Sequence, residues 1–192
     1  MPRALILVAD GSEEIEFVTP YDVLTRADFE VKSAGISLRN EFYAQSKWKQ
    51  LTVYSSMSRN IRIVPDYQKL EYTFCEDSAV LDLINDFRRK GKWVATICAA
   101  TTVLVAAEKK RRGDDGDFDG DTAVVTGHPS VMEEIVESGW GVSQDRVVVD
   151  GNLITSRGPG TAILFALTIV EYLCGKEKRD KVAGPMVLAE TL

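Results

Sequence analysis

The chain has 192 residues, 45% of them hydrophobic and 27% charged, with a formal net charge of −6; that length suits a single domain with a sizeable core. The negative charge argues against non-specific nucleic-acid binding and against docking on an anionic membrane, since both are driven by Lys and Arg. Three cysteines, Cys75, Cys98 and Cys174, form neither a disulfide framework nor a zinc site, because their number is odd and no tight spacing links them.

"ALILVAD" (4–10) reads as a buried strand, a short apolar run ended by Asp-Gly. The run is too short for a signal peptide, and acids follow it. "SEEIEFVTPYDVLTRA" (12–27) reads as a helix, with Ser12 as the expected N-cap, early Glu residues at its positive end and Pro20 inside, where a kink is expected. "FEVKSAGI" is a second strand. Strand, helix and strand at this spacing make a βαβ unit and therefore a parallel sheet. Residues 37–58 hold no clean period and read as an irregular excursion with one strand at 51–54. "RNIRIVPD" alternates as a strand, and residues 67–77 give no clear assignment.

"SAVLDLINDFRRKG" (78–91) is an amphipathic helix, expected to be capped by Ser78 and stopped by Gly91. "WVATIC" is the next strand and "AATTVLVAAE" the next helix. "KKRRGDDGDFDGD" reads as an exposed charged loop. "AVVT" is a short strand, and "PSVMEEIVESG" a helix opened by Pro129. "RVVVDGNLITS" is a hairpin around Asp150-Gly151. "GTAILFALTIVEYLCG" is a buried helix, shorter than the about 20 residues that span a bilayer, and "EKRDKVAG" a short one. No Asn-x-Ser/Thr sequon occurs, so a reducing cytoplasm is expected. The alternation predicts an α/β doubly wound parallel sheet over residues 1–192. Functional sites in such sheets form at the carboxyl ends of the strands.

Three features stand at such ends: the Asp10-Gly11 turn leading to Glu16, then Cys98, then Gly127-His128. Cys98 can be a small buried core residue. It can also be a nucleophile at a strand-to-helix corner, where the helix N-terminus would favour a thiolate. The residues alone leave both readings open. His128 is the only histidine, and imidazole is the side chain suited to proton exchange near neutrality. Glu16 is flanked by Ile15, Phe17 and Val18, which puts it at the edge of a buried face. Burial raises a carboxyl pKa and would keep Glu16 protonated, able to bond a thiolate or exchange a proton with substrate. "DGDFDGD" (115–121) matches half of a calcium loop, but its twelfth position is Thr126 rather than the bidentate Glu such loops need, so no metal site is expected.

"RALILVADGSEEIE", "ATICAA", "GHPSV", "LITSRGPGTAILFALTIVEYLCGKE" and "VAGPMVL" closely resemble the parkinsonism-associated deglycase family of the PfpI superfamily. The likeness covers about 3–36, 58–66, 78–108 and 122–190. It implies a flavodoxin-like fold, a homodimer, no cofactor, and glutathione-independent glyoxalase activity on small dicarbonyls such as methylglyoxal and glyoxal, giving D-lactate from methylglyoxal. Deglycase and oxidative-stress roles, in cytoplasm and nucleus, are also implied. By position, Cys98 resembles the nucleophile, Glu16 the acid that bonds it and His128 the nearby imidazole. Ala99 resembles an oxyanion donor, with Gly127 and Arg59 as pocket support. Arg157 and Pro159 resemble residues at the dimer interface and pocket rim.

One departure is large. The family carries an apolar strand ending in Pro-Gly-Gly ahead of the helix at 78–90, and this chain has no Pro-Gly-Gly. One central strand and one oxyanion loop are therefore expected to be missing, with 37–77 as an atypical segment. Three accounts are open: an alternative or mis-assembled product, replacement of the strand by residues 51–56, or divergence to a catalytically impaired redox-sensor or chaperone-like dimer. The first fits the local collapse of patterning between well-patterned flanks.

Overall fold

The computed structural model describes residues 1–36, 39–41, 52–69, 74–113 and 123–190. It is α/β, and its chain forms two compact units, Met1–Thr73 and Phe74–Leu192.

In the first unit, β1 (Arg3–Ala9), α1 (Glu14–Arg26) and β2 (Glu30–Ile36) form the expected βαβ, with β1 and β2 parallel from Arg3 opposite Glu30 to Ala9 opposite Ile36. The cap is displaced by one residue from the sequence reading. Glu13, not Ser12, is the N-cap, its carboxylate accepting the Glu16 N–H at 3.1 Å. Ser12 Oγ instead accepts the Ala9 N–H at 2.9 Å and closes the strand-to-helix turn. The helix continues through Pro20, which is buried.

β3 (Arg39–Glu41), β4 (Thr52–Ser56) and β5 (Arg62–Ile63) make an antiparallel sheet where mostly irregular chain was expected. The strand expected in "RNIRIVPD" shrinks to two residues. A turn precedes it, closed by the Met57 N–H on the Ile61 carbonyl at 2.9 Å with Asn60 at φ 69, and Pro65 follows without a donor. β6 (Tyr67–Lys69) lies parallel to β2, in a stretch the sequence left unassigned. Asp66 pins that pairing: its carboxylate accepts the backbone N–H and the hydroxyl of Ser33 at 2.8 and 2.9 Å, and these bonds hold its pKa below the usual range. Val8, Phe17 and Met57 form one buried cluster of this unit, with Ile6, Tyr21 and Ile63 against it, and Val23, Leu24, Phe29 and Tyr54 are buried as well. Among the described residues β1 pairs only with β2, and Leu5 is 45% exposed on a strand type normally covered.

The second unit opens with α2 (Ser78–Arg89). Its cap is Asp77, not Ser78: the buried carboxylate accepts the Ala79 and Val80 N–H groups at 2.9 and 3.1 Å. Asp77→Ala is expected to lower stability by about 1–2 kcal/mol, read as a drop of roughly 2–8 °C in melting temperature. β7 (Val94–Ile97) leads to a 3₁₀ turn, Cys98–Thr101, and then to α3 (Thr102–Arg112). The helix thus begins later than expected and runs through Lys109, Lys110, Arg111 and Arg112, which the sequence reading placed in a loop. Arg111 and Arg112 reach back to Glu108 at i−3 and i−4, and basic residues suit a helix's negative end.

β8 (Val124–Val125) is followed by a 3₁₀ turn at Pro129–Val131, by α4 (Met132–Glu137), and by β9 (Gly141–Val142), an unpredicted parallel partner of β8. β10 (Val147–Asp150) and β11 (Leu153–Ser156) form the expected hairpin, with Gly151 at φ 57 in its turn. β11 also runs parallel to β7, Ser156 opposite Ile97. Beside them α5 (Ala162–Cys174) buries Phe165, Ala166, Leu167, Ile169 and Val170, and α6 (Lys176–Ala183) packs on α5. Among the described residues β7 pairs with β11 alone. The acidic stretch 115–121 lies outside the described residues.

Candidate functional site

The site of the second unit is built on one unusual residue. Ile97 is extended, at φ −133 and ψ 145, and Cys98 turns to φ 65. A side-chain-bearing residue in the left-handed region is disfavoured by about 1–2 kcal/mol. The strain reverses the chain from strand to helix within one residue and sets the thiol at the strand end, as in a nucleophile elbow. None of the three cysteines is in a disulfide and all are partly buried, so exposure does not separate them; backbone conformation does. Cys75 Sγ lies 3.4 Å from Thr102 Oγ1, one residue beyond the 3₁₀ turn.

Buried threonines hold the corner. Thr101 Oγ1 donates to the Thr126 carbonyl at 3.1 Å, which leaves Thr96 Oγ1 as the donor in its 3.2 Å contact with Thr101 Oγ1. The Thr126 N–H donates to Thr155 Oγ1 at 2.9 Å. This chain ties the end of β7, the 3₁₀ turn, the 126–128 loop and β11 into one support. Ala99, the expected oxyanion donor, is the second residue of that turn, where backbone N–H groups have no earlier helical carbonyl to bond.

The loop carries His128 to the same place, its backbone N–H donating to the Cys98 carbonyl at 3.2 Å. Gly127 makes that approach possible: a Cβ there would stand 3.1 Å from the Cys98 carbonyl oxygen and 3.3 Å from Thr101 Cβ. Gly127→Ala is expected to destabilise by about 1–3 kcal/mol through overpacking and, by shifting His128, to lower kcat/KM by about tenfold or more. Thermal melting and steady-state kinetics check the two effects. The His128 ring is exposed, with Nδ1 2.7 Å from Ser130 Oγ and 3.2 Å from the Ser130 backbone nitrogen.

In the first unit, Glu16 is half-buried on α1 with Oε1 shielded from solvent. Its neighbour Glu14, which sequence reasoning passed over, is more deeply buried. Glu14 accepts the Arg59 backbone N–H at 2.6 Å and the Ser58 hydroxyl at 2.9 Å. Burial pushes the Glu14 carboxyl up, but these bonds outweigh it and hold the pKa below the ordinary value. The Arg59 guanidinium donates to Ser58 Oγ at 2.6 Å. No spacing rule separates Glu13, Glu14 and Glu16 in advance; helical phase decides which is cap, which is buried and which lies at the edge.

The "SRGPGT" turn is held both from within and by Gln144 outside it. Arg157 Nη1 donates to the backbone and side-chain oxygens of Gln144 at 2.9 and 2.7 Å, and Ser156 and Thr161 hydroxyls meet at 2.6 Å. Pro159 opens the following 3₁₀ turn. The structure thus brings Cys98, Ala99, Gly127 and His128 together in the second unit, with Arg157 and Pro159 on its own turn, and sets Glu16 and Arg59 in the first. No cluster of three or more His, Cys, Asp or Glu suited to a metal ion occurs among the described residues.

The sequence model of the DJ-1/PfpI family matches residues 2–172. Protein dj-1beta of Drosophila melanogaster is 36% identical over 196 residues, covering 97% of this chain and 97% of that protein. The glutathione-independent glyoxalase DJ-1 of Schizosaccharomyces pombe is 29% identical, over 95% of this chain and 96% of its own. The crystal structure of Drosophila melanogaster DJ-1beta superposes with a TM-score of 0.78 at 33% identity, covering 98% of each chain.

Proposed function

The chain belongs to the DJ-1/PfpI family, and on that premise we propose that it is a glutathione-independent glyoxalase acting on methylglyoxal or glyoxal, with D-lactate as the product from methylglyoxal. One observation carries the reading: Cys98 sits in the left-handed conformation at the end of β7, bonded through its carbonyl to His128. A core cysteine gains nothing from such strain. The fission-yeast relative is named a glutathione-independent glyoxalase, which supports the class of activity.

In the proposed reaction the Cys98 thiolate adds to the aldehyde carbon of methylglyoxal, forming a C–S bond and a hemithioacetal. The proton on that carbon passes to a base and returns to the former ketone carbon through an enediolate. The product is a lactoyl thioester, which water hydrolyses to lactate and free thiolate. Glu16 or His128 carries that proton; the family likeness makes Glu16 the acid that bonds the thiolate and His128 the nearby imidazole. The Ala99 N–H stabilises the oxyanion. Gly127 and Arg59 support the pocket. The likeness also supplies the homodimer, with Arg157 and Pro159 near its interface, a cytoplasmic or nuclear setting and the deglycase role. Incubation with methylglyoxal in the absence of glutathione tests the activity: D-lactate accumulates in proportion to enzyme. No lactate above the buffer rate overturns it.

One observation favours a second reading, a redox-sensing or chaperone-like role. The Pro-Gly-Gly segment that supplies the family's second oxyanion donor is absent from the sequence. Under that reading peroxide oxidises Cys98 selectively over Cys75 and Cys174, and lactate does not form.

A further inference from the structure

The bonds at His128 fix more than its position. Its Nδ1 faces the backbone N–H of Ser130 at 3.2 Å and the Ser130 hydroxyl at 2.7 Å. A backbone N–H can only donate, so Nδ1 must accept and carries no proton in the neutral ring. The hydroxyl, the shorter contact, then also donates to Nδ1. We infer that Ser130 is a positioning residue that locks the His128 ring and its tautomer, leaving Nε2–H as the imidazole's donor. The lock is local: Pro129 opens the 3₁₀ turn, which brings Ser130 back under the ring two residues after His128.

The inference deepens the glyoxalase reading and rests on it for its chemical consequence. A neutral His128 that holds its proton on Nε2 presents a hydrogen-bond donor and has no basic nitrogen free. It would therefore stabilise the oxygen of the enediolate, and of the two candidate proton carriers, Glu16 and His128, it leaves the Glu16 carboxylate to take the proton from the aldehyde-derived carbon. No net proton is lost in that exchange, because the carboxyl returns the proton to the neighbouring carbon.

His128 is the only histidine, so the imidazole region of a long-range ¹H–¹⁵N spectrum reports this ring alone. With the ring neutral, wild type is expected to show a pyridine-like Nδ1 and a pyrrole-like Nε2. Ser130→Ala keeps the backbone N–H but loses the shorter hydroxyl bond, so the ring is held less firmly and the two shifts draw partway toward each other, and Ser130→Thr restores the wild-type pattern. Alongside, Ser130→Ala lowers kcat by roughly tenfold with KM within about twofold, since a general acid or donor contributes on the order of 10²–10⁴ and only its orientation is lost. Ser130→Thr recovers most of that rate. A proton on Nδ1 in wild type, or shifts unmoved in Ser130→Ala, overturns the inference whatever the turnover. Wild-type protein that makes no lactate overturns the glyoxalase reading and leaves the spectra to decide on Ser130 by themselves.

Discussion

Cys98→Ala is expected to abolish lactate formation, with kcat/KM falling by at least about a thousandfold, because the bond-forming atom is gone and a methyl group cannot replace it. Cys98→Ser is expected to fall nearly as far, since a hydroxyl without a strong base is a poor nucleophile. Cys98→Gly separates chemistry from strain. Glycine adopts φ 65 without penalty, so this variant should be as inactive as alanine yet more stable than it, by about 1 kcal/mol. That pairing, activity lost and stability gained, is the signature of a functional residue held in strain. A Cys98→Ala protein that still turns over methylglyoxal at the wild-type rate would remove the thiol from the mechanism. A Cys98→Gly protein no more stable than Cys98→Ala would remove the strain from the account of the corner.

The same corner shows how far the sequence could be read. The βαβ unit, the amphipathic α2, the β10–β11 hairpin and the apolar α5 were legible because each is long enough to display its period or is marked by a turn dipeptide. The caps of α1 and α2 were each misplaced by one residue. In both places two capping side chains stand side by side, Ser12-Glu13 and Asp77-Ser78, and only the extended backbone at Glu13 and Asp77 decides between them. β8 and β9 have two residues each, too few to carry any pattern. β6 owes its place to Asp66 and Ser33, a contact thirty-three residues apart that no local signal announces. In the site, position at strand ends identified Cys98 and His128. Glu14, Thr101 and Ser130 went unread because their roles depend on helical phase, on a buried hydroxyl chain and on a turn of two residues.

The end of α3 remote from Cys98 carries the largest expected effect on stability. The Glu108 carboxylate is 5% exposed and meets three guanidiniums: Arg111 at 2.5 Å, Arg112 Nε at 2.6 Å and Arg88 of α2 at 3.3 Å. Arg88 and Arg112 are themselves largely buried, and the Arg88 guanidinium also lies 5.4 Å from the Trp140 ring centroid. Burial pushes the Glu108 carboxyl upward, but the Arg111 and Arg112 hydrogen bonds overcome this and hold it below its usual value. Glu108→Ala removes the buried carboxylate that these three guanidiniums share, which costs about 3–5 kcal/mol. Since native stability is only about 5–15 kcal/mol, the melting temperature should fall by roughly 10 °C or more. Because the folded pKa is depressed, the stabilisation is complete above the ordinary carboxylate range, near pH 4.3 or roughly so. It is lost as pH falls through the folded value. Glu108→Gln keeps the volume and part of the hydrogen bonding, so it should melt between wild type and Glu108→Ala and show a flatter loss of stability on acidification. The paired change Arg88→Met with Glu108→Leu removes a charge of each sign from the α2–α3 contact, and it should recover part of the loss seen in Glu108→Ala. Melting of Glu108→Ala within 2 °C of wild type, on the order of measurement scatter beside the expected shift, would mean that groups other than Glu108 balance these arginines.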